Sequence, residues 1–354
     1  MRVVVAMSGG VDSSVAAALL AEAGHDVIGL SMQLYDQRAP GASFGSCCSI
    51  DDLHDARRVA AAIGFPHYLV NFEEKFRETV VSNFVSEYAS GRTPIPCVHC
   101  NADLKFATLV ERAAGLDAAW VATGHYARVE FDEDTRRYRL LRGADGDKDQ
   151  SYFLFSLTQD QLAHAMFPVG HLTKPAVRAV AARLGLTVAD KPDSHEICFV
   201  PDGDAADFVE RRLGNDRRGG DIVDDSGKII GQHRGVHRFT IGQRKHLGVA
   251  TGSPMYVLRL EPAEARVVVG AREALGGREL TASLVNWISG SAPDGPLRVT
   301  ARIRHRHKDA AATVTADANA HAQLVFDDPQ TAITPGQAVV FYNGDEVIGG
   351  GWIE

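Results

Sequence analysis

A glycine- and serine-rich segment near the N-terminus, residues 8–14 with the sequence SGGVDSS, constrains the fold more than any other stretch. It follows an apolar run, Val3–Met7, and precedes an alanine-rich run of helical character, Val15–Ala23. A strand, a turn with two glycines and a helix start form a cradle for an anion. The glycines let backbone N–H groups turn inward, and the helix N-terminus adds partial positive charge. The segment therefore predicts a phosphate-binding turn in an α/β domain.

The residues of this turn narrow the phosphate chemistry. The turn lacks the Gly-Lys-Ser/Thr ending of a Walker A loop, which disfavours hydrolysis of a γ-phosphate by that route. The string S-G-G-x-D-S instead resembles the pyrophosphate loop of enzymes that split ATP between its α- and β-phosphates. Ser8, Ser13 and Ser14 supply hydroxyl donors for a phosphate. The alternative interpretation is a helix capped by Ser or Asp after a tight turn, without a ligand.

Strands and helices alternate over the first two hundred residues, which predicts a doubly wound parallel sheet with ligands at the carboxyl ends of its strands. The predicted strands are Val3–Met7, Val27–Met32, His67–Val70 and Ala119–Thr123. The predicted helices are Val15–Ala23, Leu53–Ile63, Lys75–Ser90, Lys105–Ala114 and Pro175–Leu184, with left-handed stop residues at Gly24, Gly64, Gly115 and Gly185. The run 128–142 is predicted to form an inserted hairpin.

Beyond about residue 205 the helical periodicity fades, and short strands separated by Gly, Pro and Asp take over. We predict three domains. They are a pyrophosphate-loop ATP-binding domain of the adenine nucleotide hydrolase-like type over 1–205, a small β-rich domain over 206–276 and a C-terminal β-barrel over 277–354. A chain of 354 residues suits this number of domains.

Composition and charge bound the function. No run approaches the roughly 18 apolar residues that span a bilayer, and the first strand begins directly, so a cytoplasmic protein without membrane contact is expected. The net charge of −8 by itself argues against a nucleic-acid partner. Basic residues nevertheless concentrate in the second half: nine Lys/Arg against four Asp over 211–245, and five against none over 298–308. This distribution suits a protein that holds a polyanion on one face.

The cysteines admit three interpretations. Five cysteines in a long chain argue against a disulfide framework. One possibility is a zinc or iron–sulfur site, with Cys97 and Cys100 as a half-site completed by Cys198 or His99. A second possibility is that the cysteines are buried structural thiols without chemistry. The remaining two cysteines, Cys47 and Cys48, lie in a Gly/Ser-rich segment. We favour the third, a redox-active pair of Cys100 and Cys198 that works with ATP, since a thiolate near a helix N-terminus is a competent nucleophile.

A sulfur-transfer reaction would use both the predicted phosphate-binding turn at residues 8–14, which we term the phosphate loop, and the cysteines. Adenylation by ATP turns a carbonyl oxygen into a leaving group, and a cysteine persulfide supplies the sulfur nucleophile. A second cysteine can resolve the persulfide by disulfide exchange. At this point the chain resembles the bacterial tRNA-specific 2-thiouridylases, which thiolate the wobble uridine of certain tRNAs. The motifs that carry the resemblance over the whole chain are A-M-S-G-G-V-D-S-S (6–14), G-R-T-P-x-P-x-x-x-C-N (91–101), T-G-H-Y-A-R (123–128), D-K-D-Q-S-Y-F-L (147–154), I-C-F (197–199), T-I-G-Q-R-K (240–245) and F-Y-N-G (341–344).

The resemblance implies a role for particular residues. Cys100 would be the nucleophile and Cys198 the persulfide carrier, with a transient disulfide between them. The residues that would hold ATP are Ala6, Met7, Ser8, Gly9, Gly10, Val11, Asp12, Ser13, Met32 and Gly124. The residues that would contact tRNA are Ile95, Pro96, Cys97, His125, Lys148, Asp149, Gln150, Arg304, His305 and Gln337. Mg²⁺ would accompany the phosphates near Asp12, with no resident metal site, and a cysteine desulfurase or sulfur relay would donate the sulfur.

This chain departs from the family pattern beside the chemistry. It has Ile95 where the family often has Asn, Cys97 where it often has Asp, and His246 where glycine is usual. Cys97 is therefore a rival to Cys100, which keeps the C-N position of the motif. Two other functions stay open: an ATP-dependent ligase or amidase of the pyrophosphate-loop type that acts on a small carbonyl substrate, and a tRNA- or metal-binding protein without turnover.

Two basic segments are candidates for binding the RNA backbone. Arg302, Arg304, Arg306 and Lys308 alternate with other residues, and on a strand this period places all four cations on one face. The segment 240–245 could grip a tRNA stem. A solvated barrel face and a basic hairpin turn are the alternatives. The wobble base lies in an anticodon loop, so it is partly unstacked and cheaper to extrude than a duplex base.

Overall fold

The computed structural model describes residues 1–35, 49–193, 197–200, 204–214, 218–249, 252–317 and 319–354. Its first strands are β1 (Arg2–Ala6), β2 (Asp26–Gln33), β3 (His67–Asn71), β4 (Trp120–Ala122), β5 (Ala127–Asp132), β6 (Arg137–Arg142) and β7 (Ala165–Met166). Its α-helices are α1 (Val11–Glu22), α2 (Ile50–Ile63), α3 (Glu73–Phe76), α4 (Ser82–Ala89), α5 (Pro96–His99), α6 (Leu109–Ala114), α7 (Gln159–Ala163), α8 (Lys174–Arg183) and α9 (Ala205–Leu213). The later strands are β8 (Gly220–Val223), β9 (Ile229–His233), β10 (Tyr256–Glu261), β11 (Arg266–Gly270), β12 (Gly276–Trp287), β13 (Leu297–Arg302), β14 (Ala310–Ala316), β15 (Ala322–Thr331), β16 (Ala338–Asn343) and β17 (Glu346–Ile353).

A wholly parallel sheet in the order β3-β2-β1-β4-β7 forms the centre of the N-terminal domain. In the central strand β1, Val4 joins one apolar cluster while Val3 and Val5 join another, so both faces of the strand are covered. A continuous apolar run is what such a strand needs. The four strands predicted from the sequence are confirmed, and so is the doubly wound fold class. The strand order reverses between β1 and β4, which places the ligand crevice at their carboxyl ends.

Two helices begin at least four residues earlier than the sequence predicts. Helix α1 begins at Val11 rather than Val15, which leaves only a short turn after β1. The helix predicted to begin at Lys105 begins at Pro96 and continues through a π-helical stretch, Cys100–Thr108, into α6. Proline suits the first helical position, since its φ is already helical and no N–H is needed there. The cysteine motif thus lies within the helix and not in a preceding loop.

Three of the four predicted glycine stops are confirmed. Gly24, Gly64 and Gly185 have left-handed backbones, with φ of 79°, 97° and 65°. The prediction is wrong for Gly115, whose φ is −67°. The chain turns two residues later, at Asp117, with φ of 56°. An aspartate tolerates this conformation better than most residues, which allows the stop to move.

The C-terminal sheet is a closed barrel of β12, β15, β14, β13, β16 and β17, because β17 pairs with both β16 and β12. The predicted hairpin is confirmed as β5 and β6, but the partner of that hairpin was not foreseen. Leu140 and Leu141 of β6 pair with β17 at Val347 and Glu346. A hairpin alone is only marginally stable, and the barrel supplies the edge it needs. The N-terminal domain therefore extends the barrel sheet.

Between these units lies a four-stranded sheet in the order β10-β11-β8-β9. Its core contains the fully buried side chains of Ile222, Val257 and Val267. The predicted β-rich middle segment is confirmed. None of the helices in the described ranges has the length and apolarity that a membrane span requires.

Candidate active site and RNA-binding surface

The turn after β1 lies in the crevice at the reversal of strand order. Gly9 has φ of +74°, and a Cβ there would lie 2.1 Å from the carbonyl oxygen of Asp52 on α2. On the other side, a Cβ on Gly124, just after β4, would lie 2.5 Å from the amide nitrogen of Ser13. Both positions need glycine because the turn is packed between backbone atoms. The sequence prediction for these two residues thus coincides with a steric requirement.

The interpretation of a Ser- or Asp-capped helix disagrees with the geometry. The residue before α1 is Gly10, which makes no side-chain cap. The hydroxyls of Ser13 and Ser14 donate to the carbonyl oxygen of Gly10 at 3.2 and 2.8 Å. The Asp12 carboxylate accepts hydrogen bonds from Tyr126 and Lys174 and does not cap the helix. The N-terminus of α1 therefore keeps the properties of an anion site.

The apolar residues predicted for nucleotide binding lie in β1, β2, the turn between β1 and α1 and the first position of α1. Ala6, Met7, Val11 and Met32 are all buried in the core. The amide of Met7 donates to the carbonyl oxygen of Leu30, at 2.8 Å. The buried Ser31 hydroxyl donates to the Met7 carbonyl oxygen at 2.7 Å and also bonds His67 Nε2. The ends of β1 and β2 are thereby held in one position.

A chain of ion pairs leads away from the phosphate loop. Lys174 Nζ donates to both oxygens of Asp12 at 2.9 Å and lies 2.7 Å from Asp193 Oδ1. Lys148 Nζ donates to the other oxygen of Asp193 at 2.8 Å. Burial by itself raises the pKa of Asp193, but the hydrogen bonds from Lys148 and Lys174 outweigh it and lower this pKa to about 2. Four charged groups, Asp12, Lys174, Asp193 and Lys148, thus alternate in sign along a line that we term the ion chain.

Two further residues secure the loop, and the sequence analysis missed both. Tyr126 Oη donates to Asp12 Oδ1 at 2.7 Å, and burial followed by this hydrogen bond raises the pKa of the phenol. Lys191 Nζ donates to the Gly9 carbonyl oxygen at 3.0 Å, and also to Asp52 and Asp55. Burial lowers the pKa of Lys191, but the two carboxylates raise it more, so the net shift is upward. The motif T-G-H-Y was the one signal that could have pointed to Tyr126.

The donor set does not fit a resident magnesium ion. Among the described residues, no group of three or more His, Cys, Asp or Glu side chains could hold a metal ion. Both oxygens of Asp12 already accept hydrogen bonds from an ammonium group, and one also accepts from Tyr126. Lys174 therefore takes the position of the cation beside this carboxylate.

The predicted catalytic cysteines contact the same large apolar core. Cys100 and Cys198 are half-buried, and both pack against the cluster that runs from the N-terminal domain into the barrel. Phe199 anchors the Cys198 segment by edge contacts with Phe76 and Phe84. Cys100 lies where α5 becomes π-helical, a feature frequent at functional sites.

The cysteine near the helix N-terminus, where the pKa of a thiol is lowered, is Cys97 and not Cys100 as predicted. Cys97, which is exposed, lies in the first turn of α5, whereas Cys100 lies at its end. Of the three neighbouring residues predicted to contact tRNA, Ile95 and Pro96 are buried. Cys97 alone is thus exposed among them. Cys47 and Cys48 lie outside the described residues.

The barrel holds the loop that leads to Cys100. Gln337 Nε2 donates to the Thr93 carbonyl oxygen at 3.0 Å, and the Thr93 amide donates to the Pro335 carbonyl oxygen at 2.8 Å. His99 stacks on Trp352 of β17, with ring centroids 4.9 Å apart. Gln337 was predicted as a tRNA contact, and the structure places it at this junction of two domains.

The other predicted tRNA residues collect around Asp149. The amide of Tyr126, next to His125, donates to Gln150 Oε1 at 3.0 Å, and His305 Nε2 lies 3.4 Å from the Asp149 carbonyl oxygen. Burial, followed by the charge of Lys105, lowers the pKa of His125 well below its usual value. His125 is therefore neutral at physiological pH and can act as a hydrogen-bonding group only.

Asp149 itself is turned inward. Its carboxylate accepts from the amides of Gly143 and Ser151 at 3.2 and 3.1 Å. Arg302 and Arg142 lie 3.2 and 3.7 Å from its other oxygen, and the side chain is only 1% exposed. Its carboxylate therefore joins the N-terminal domain to the barrel, and the residue as a whole is buried.

Replacing Asp149 by Asn is expected to lower the free energy of unfolding by about 2 kcal/mol, because Arg142 and Arg302 lose the buried one of the two carboxylates they share and keep only Asp309. Chemical denaturation measures the change. The control is Asp345→Asn, which removes the exposed partner of Arg128, and there little change is expected. Equal stability losses in the two variants would contradict the structural role of Asp149.

The prediction that a strand carries four cations on one face is wrong. Strand β13 ends at Arg302, whose guanidinium turns inward to Asp149 and Asp309. Arg304, Arg306 and Lys308 follow in a turn and line a cleft of about 480 Å³. The alternation of basic residues at every second position predicted a strand through Lys308. The strand instead ends at Arg302, which forms inward ion pairs, and the chain then turns. Three of the four cations still share one surface.

The second basic segment approaches the first. A Cβ on Gly242 would lie 2.9 Å from Cβ of Ala332 in the barrel. Arg304 Nη1 donates to the carbonyl oxygen of Thr331, the preceding residue, at 3.1 Å. Arg244 and Lys245 are exposed beside this contact. The basic loops of the middle domain and the barrel therefore meet at residues 331–332.

The phosphate-binding turn and the two appended β domains place the protein in a class whose nucleotide-binding domain is of the HUP type. The sequence model described as the tRNA methyl transferase HUP domain matches residues 1–202. Models described as the tRNA methyl transferase PRC-barrel domain and the aminomethyltransferase beta-barrel domain match 206–271 and 277–353.

The chain belongs to the tRNA-specific 2-thiouridylase family. It is 53% identical to the tRNA-specific 2-thiouridylase MnmA of Geotalea uraniireducens, over 100% of this chain and 95% of that protein. It is 52% identical to the protein of the same name from Solibacter usitatus, over 99% of both chains. The family resemblance stated from the sequence motifs is confirmed.

Proposed function

We propose that this protein is an ATP-dependent tRNA-uridine 2-sulfurtransferase. It adenylates the C2 carbonyl oxygen of the wobble uridine and replaces that oxygen with sulfur, releasing AMP and pyrophosphate. The observation that carries the proposal is the match of about 50% identity to 2-thiouridylases over the whole chain. The glycine turn before the uncapped N-terminus of α1 and the two half-buried cysteines, which pack against the same apolar core, supply the groups that this reaction needs.

ATP binds at the turn after β1. The residues assigned to it are Ala6, Met7, Ser8, Gly9, Gly10, Val11, Asp12, Ser13, Met32 and Gly124. The N-terminus of α1 faces the phosphates, which suits their charge. Mg²⁺ accompanies the nucleotide from solution and is not held by a protein site of its own, in keeping with its preference for phosphates and water.

The cysteines divide the sulfur transfer into two steps. The terminal sulfur of a Cys198 persulfide attacks C2 of the adenylated uridine, and AMP leaves with the former carbonyl oxygen. The Cys100 thiolate then attacks the Cys198 sulfur, which forms a Cys100–Cys198 disulfide and leaves the transferred sulfur on C2 with its bonding electrons. A cellular dithiol must reduce this disulfide, and a sulfur-donor protein must reload Cys198, before the next turnover.

The tRNA contacts are assigned to Cys97, His125, Lys148, Gln150, Arg304 and His305, with Ile95, Pro96, Asp149 and Gln337 supporting them from buried or interdomain positions. The domain boundaries at 205/206 and 276/277 are proposed on the change of sequence pattern. Because its substrate is tRNA, we expect the protein to act in the cytoplasm.

The test is mass analysis of anticodon-loop nucleosides after incubation of unmodified tRNA with the protein, ATP, Mg²⁺ and a persulfide source. One sulfur-for-oxygen exchange at the wobble uridine is expected, with AMP and pyrophosphate as products. Cleavage of ATP to these products without thiolation would instead favour the ligase acting on a small carbonyl substrate. No ATP cleavage with intact RNA binding would favour a binding protein.

Removing cations from the cleft should change the salt dependence of tRNA binding. Each of Arg306→Ala and Lys308→Ala is expected to reduce the slope of log K against log salt by about 1, because one phosphate contact is lost. Filter binding at several salt concentrations measures the slope. Arg298→Ala is the control, since that arginine of β13 is already paired with Asp327. An unchanged slope in both cleft variants would remove this cleft from the RNA-binding surface.

A further inference from the structure

Lys174 takes no part in the proposed reaction steps, yet it is more deeply buried than Lys191, the other lysine beside the phosphate loop. Its side chain is 10% exposed, and its ammonium group lies between the carboxylates of Asp12 and Asp193. The backbone N–H of Lys174 donates to Asp145 at 2.7 Å, and Thr173 caps the helix that begins at Lys174. A buried charge held this firmly costs desolvation, so its position calls for an explanation.

Charge compensation of Asp12 in the phosphate loop explains the position of Lys174. Asp12 belongs to the first turn of α1, beside the point at which a polyphosphate would approach the helix N-terminus. An uncompensated carboxylate there would repel the phosphates. Lys174 cancels this charge, with both Asp12 oxygens at 2.9 Å. The hydroxyl of Tyr126 completes the arrangement from the other side.

Asp193, the second carboxylate that contacts Lys174, connects the phosphate loop to a more distant part of the chain. Asp193 lies in the segment that leads toward Cys198, and its other oxygen accepts from Lys148. Arg178 of the same helix α8 also approaches Asp193, at 3.4 Å. The ion chain thus ties the phosphate loop to the residues that precede the persulfide cysteine.

We propose that Lys174 is a positioning residue, which neutralises and orients Asp12 so that the phosphate loop accepts a nucleotide. The inference rests on the proposed function in so far as ATP is the ligand of this loop. It does not require Lys174 to touch the nucleotide. The role differs from that of a phosphate-binding lysine, and a double-mutant cycle separates the two.

The experiment measures the dissociation constant of α,β-methylene-ATP at fixed Mg²⁺ for the full-length protein. The variants are Lys174→Met, Lys174→Arg, Asp12→Asn and the double variant Lys174→Met/Asp12→Asn. Lys174→Met is expected to weaken binding by about tenfold or more, and Lys174→Arg should restore most of the affinity. In the Asp12→Asn background, Lys174→Met should change binding by less than about threefold, since the charge it compensated is gone.

Arg183→Met is the matched control. Arg183 lies at the other end of α8 and joins the same two helices through a bidentate pair with Glu22 of α1, at 2.7 and 2.8 Å. It is expected to leave nucleotide affinity unchanged. Thermal unfolding of every variant separates a loss of affinity from a loss of fold.

Two outcomes would overturn the proposal. If Lys174→Met costs the same affinity with Asp12 and with Asn at position 12, Lys174 contacts the phosphates directly. If Lys174→Met binds as tightly as the unchanged protein, Asp12 needs no compensation. Nucleotide binding is measured without turnover, so a failure to thiolate tRNA would count against the proposed function and not against this inference.

Discussion

Replacement of Cys100 or Cys198 by serine is expected to abolish tRNA thiolation, with a loss of rate of about a thousandfold or more. A serine at position 198 cannot carry a persulfide, and a serine at position 100 cannot break the Cys198 sulfur bond by exchange. The measurement is the initial rate of 2-thiouridine formation in the wobble position. Binding of ATP and tRNA should persist in both variants, because neither side chain belongs to the phosphate loop or to the basic surface.

Cys97→Ser is the matched control for these two variants. Cys97 lies in α5, three residues before Cys100, and is exposed. A serine there keeps a polar side chain of similar size for the proposed tRNA contact, so the replacement should leave the fold intact and retain thiolation. Because Cys97 lies in the first turn of the helix, it is the alternative nucleophile. Thiolation that is lost with Cys97→Ser but kept with Cys100→Ser would exchange the roles of the two residues while keeping the reaction.

The second large effect is expected for Gly9→Ala. The backbone of Gly9 is left-handed, and an added Cβ would lie 2.1 Å from the carbonyl oxygen of Asp52. Either the phosphate loop or the start of α2 must therefore move. We expect a loss of nucleotide affinity of about a hundredfold and a destabilisation of about 3 kcal/mol, from strain and from the collision together.

Gly64→Ala separates the two causes. Gly64 ends the same helix α2 and also has a left-handed backbone, with φ of +97°, but a Cβ there meets no atom within 4 Å. It should lose stability by about 1 kcal/mol through strain alone and keep its affinity for the nucleotide. If both variants lose affinity equally, backbone strain in α2 explains the effect, and close packing of the loop does not.

Local patterns were sufficient for much of the site. The glycines at 9 and 10 follow an apolar strand and precede a helix, and this order alone predicted the strand–turn–helix unit that the structure shows, with an uncapped helix N-terminus at Gly10. The parallel sheet followed from alternating segments because a strand buried on both faces is apolar throughout, as in Val3–Val5. Short-range chemistry of this kind is readable because the residues that interact are neighbours in the chain.

Where local patterns failed, a competing local rule or a distant contact decided. Pro96 began a helix nine residues before the predicted start, so that Cys97 and Cys100 became helical. Alternating cations at 302–308 fitted a strand, yet Arg302 is pinned inward by Asp149, more than 150 positions away. The spacing of the basic residues is as the sequence shows it, but the sequence gives no indication that Asp149 pairs with Arg302.

By itself, then, the sequence determined the class of the N-terminal fold, the glycine turn at the start of α1 and the family. Only the tertiary structure decided which charges meet: Asp12 with Lys174, 162 positions apart, and Lys191 with the Gly9 carbonyl oxygen, 182 positions apart. It also decided that the hairpin β5–β6 extends the sheet of the barrel. The physical reason is that ion pairs and strand edges act over a few ångströms in space, whatever the separation along the chain.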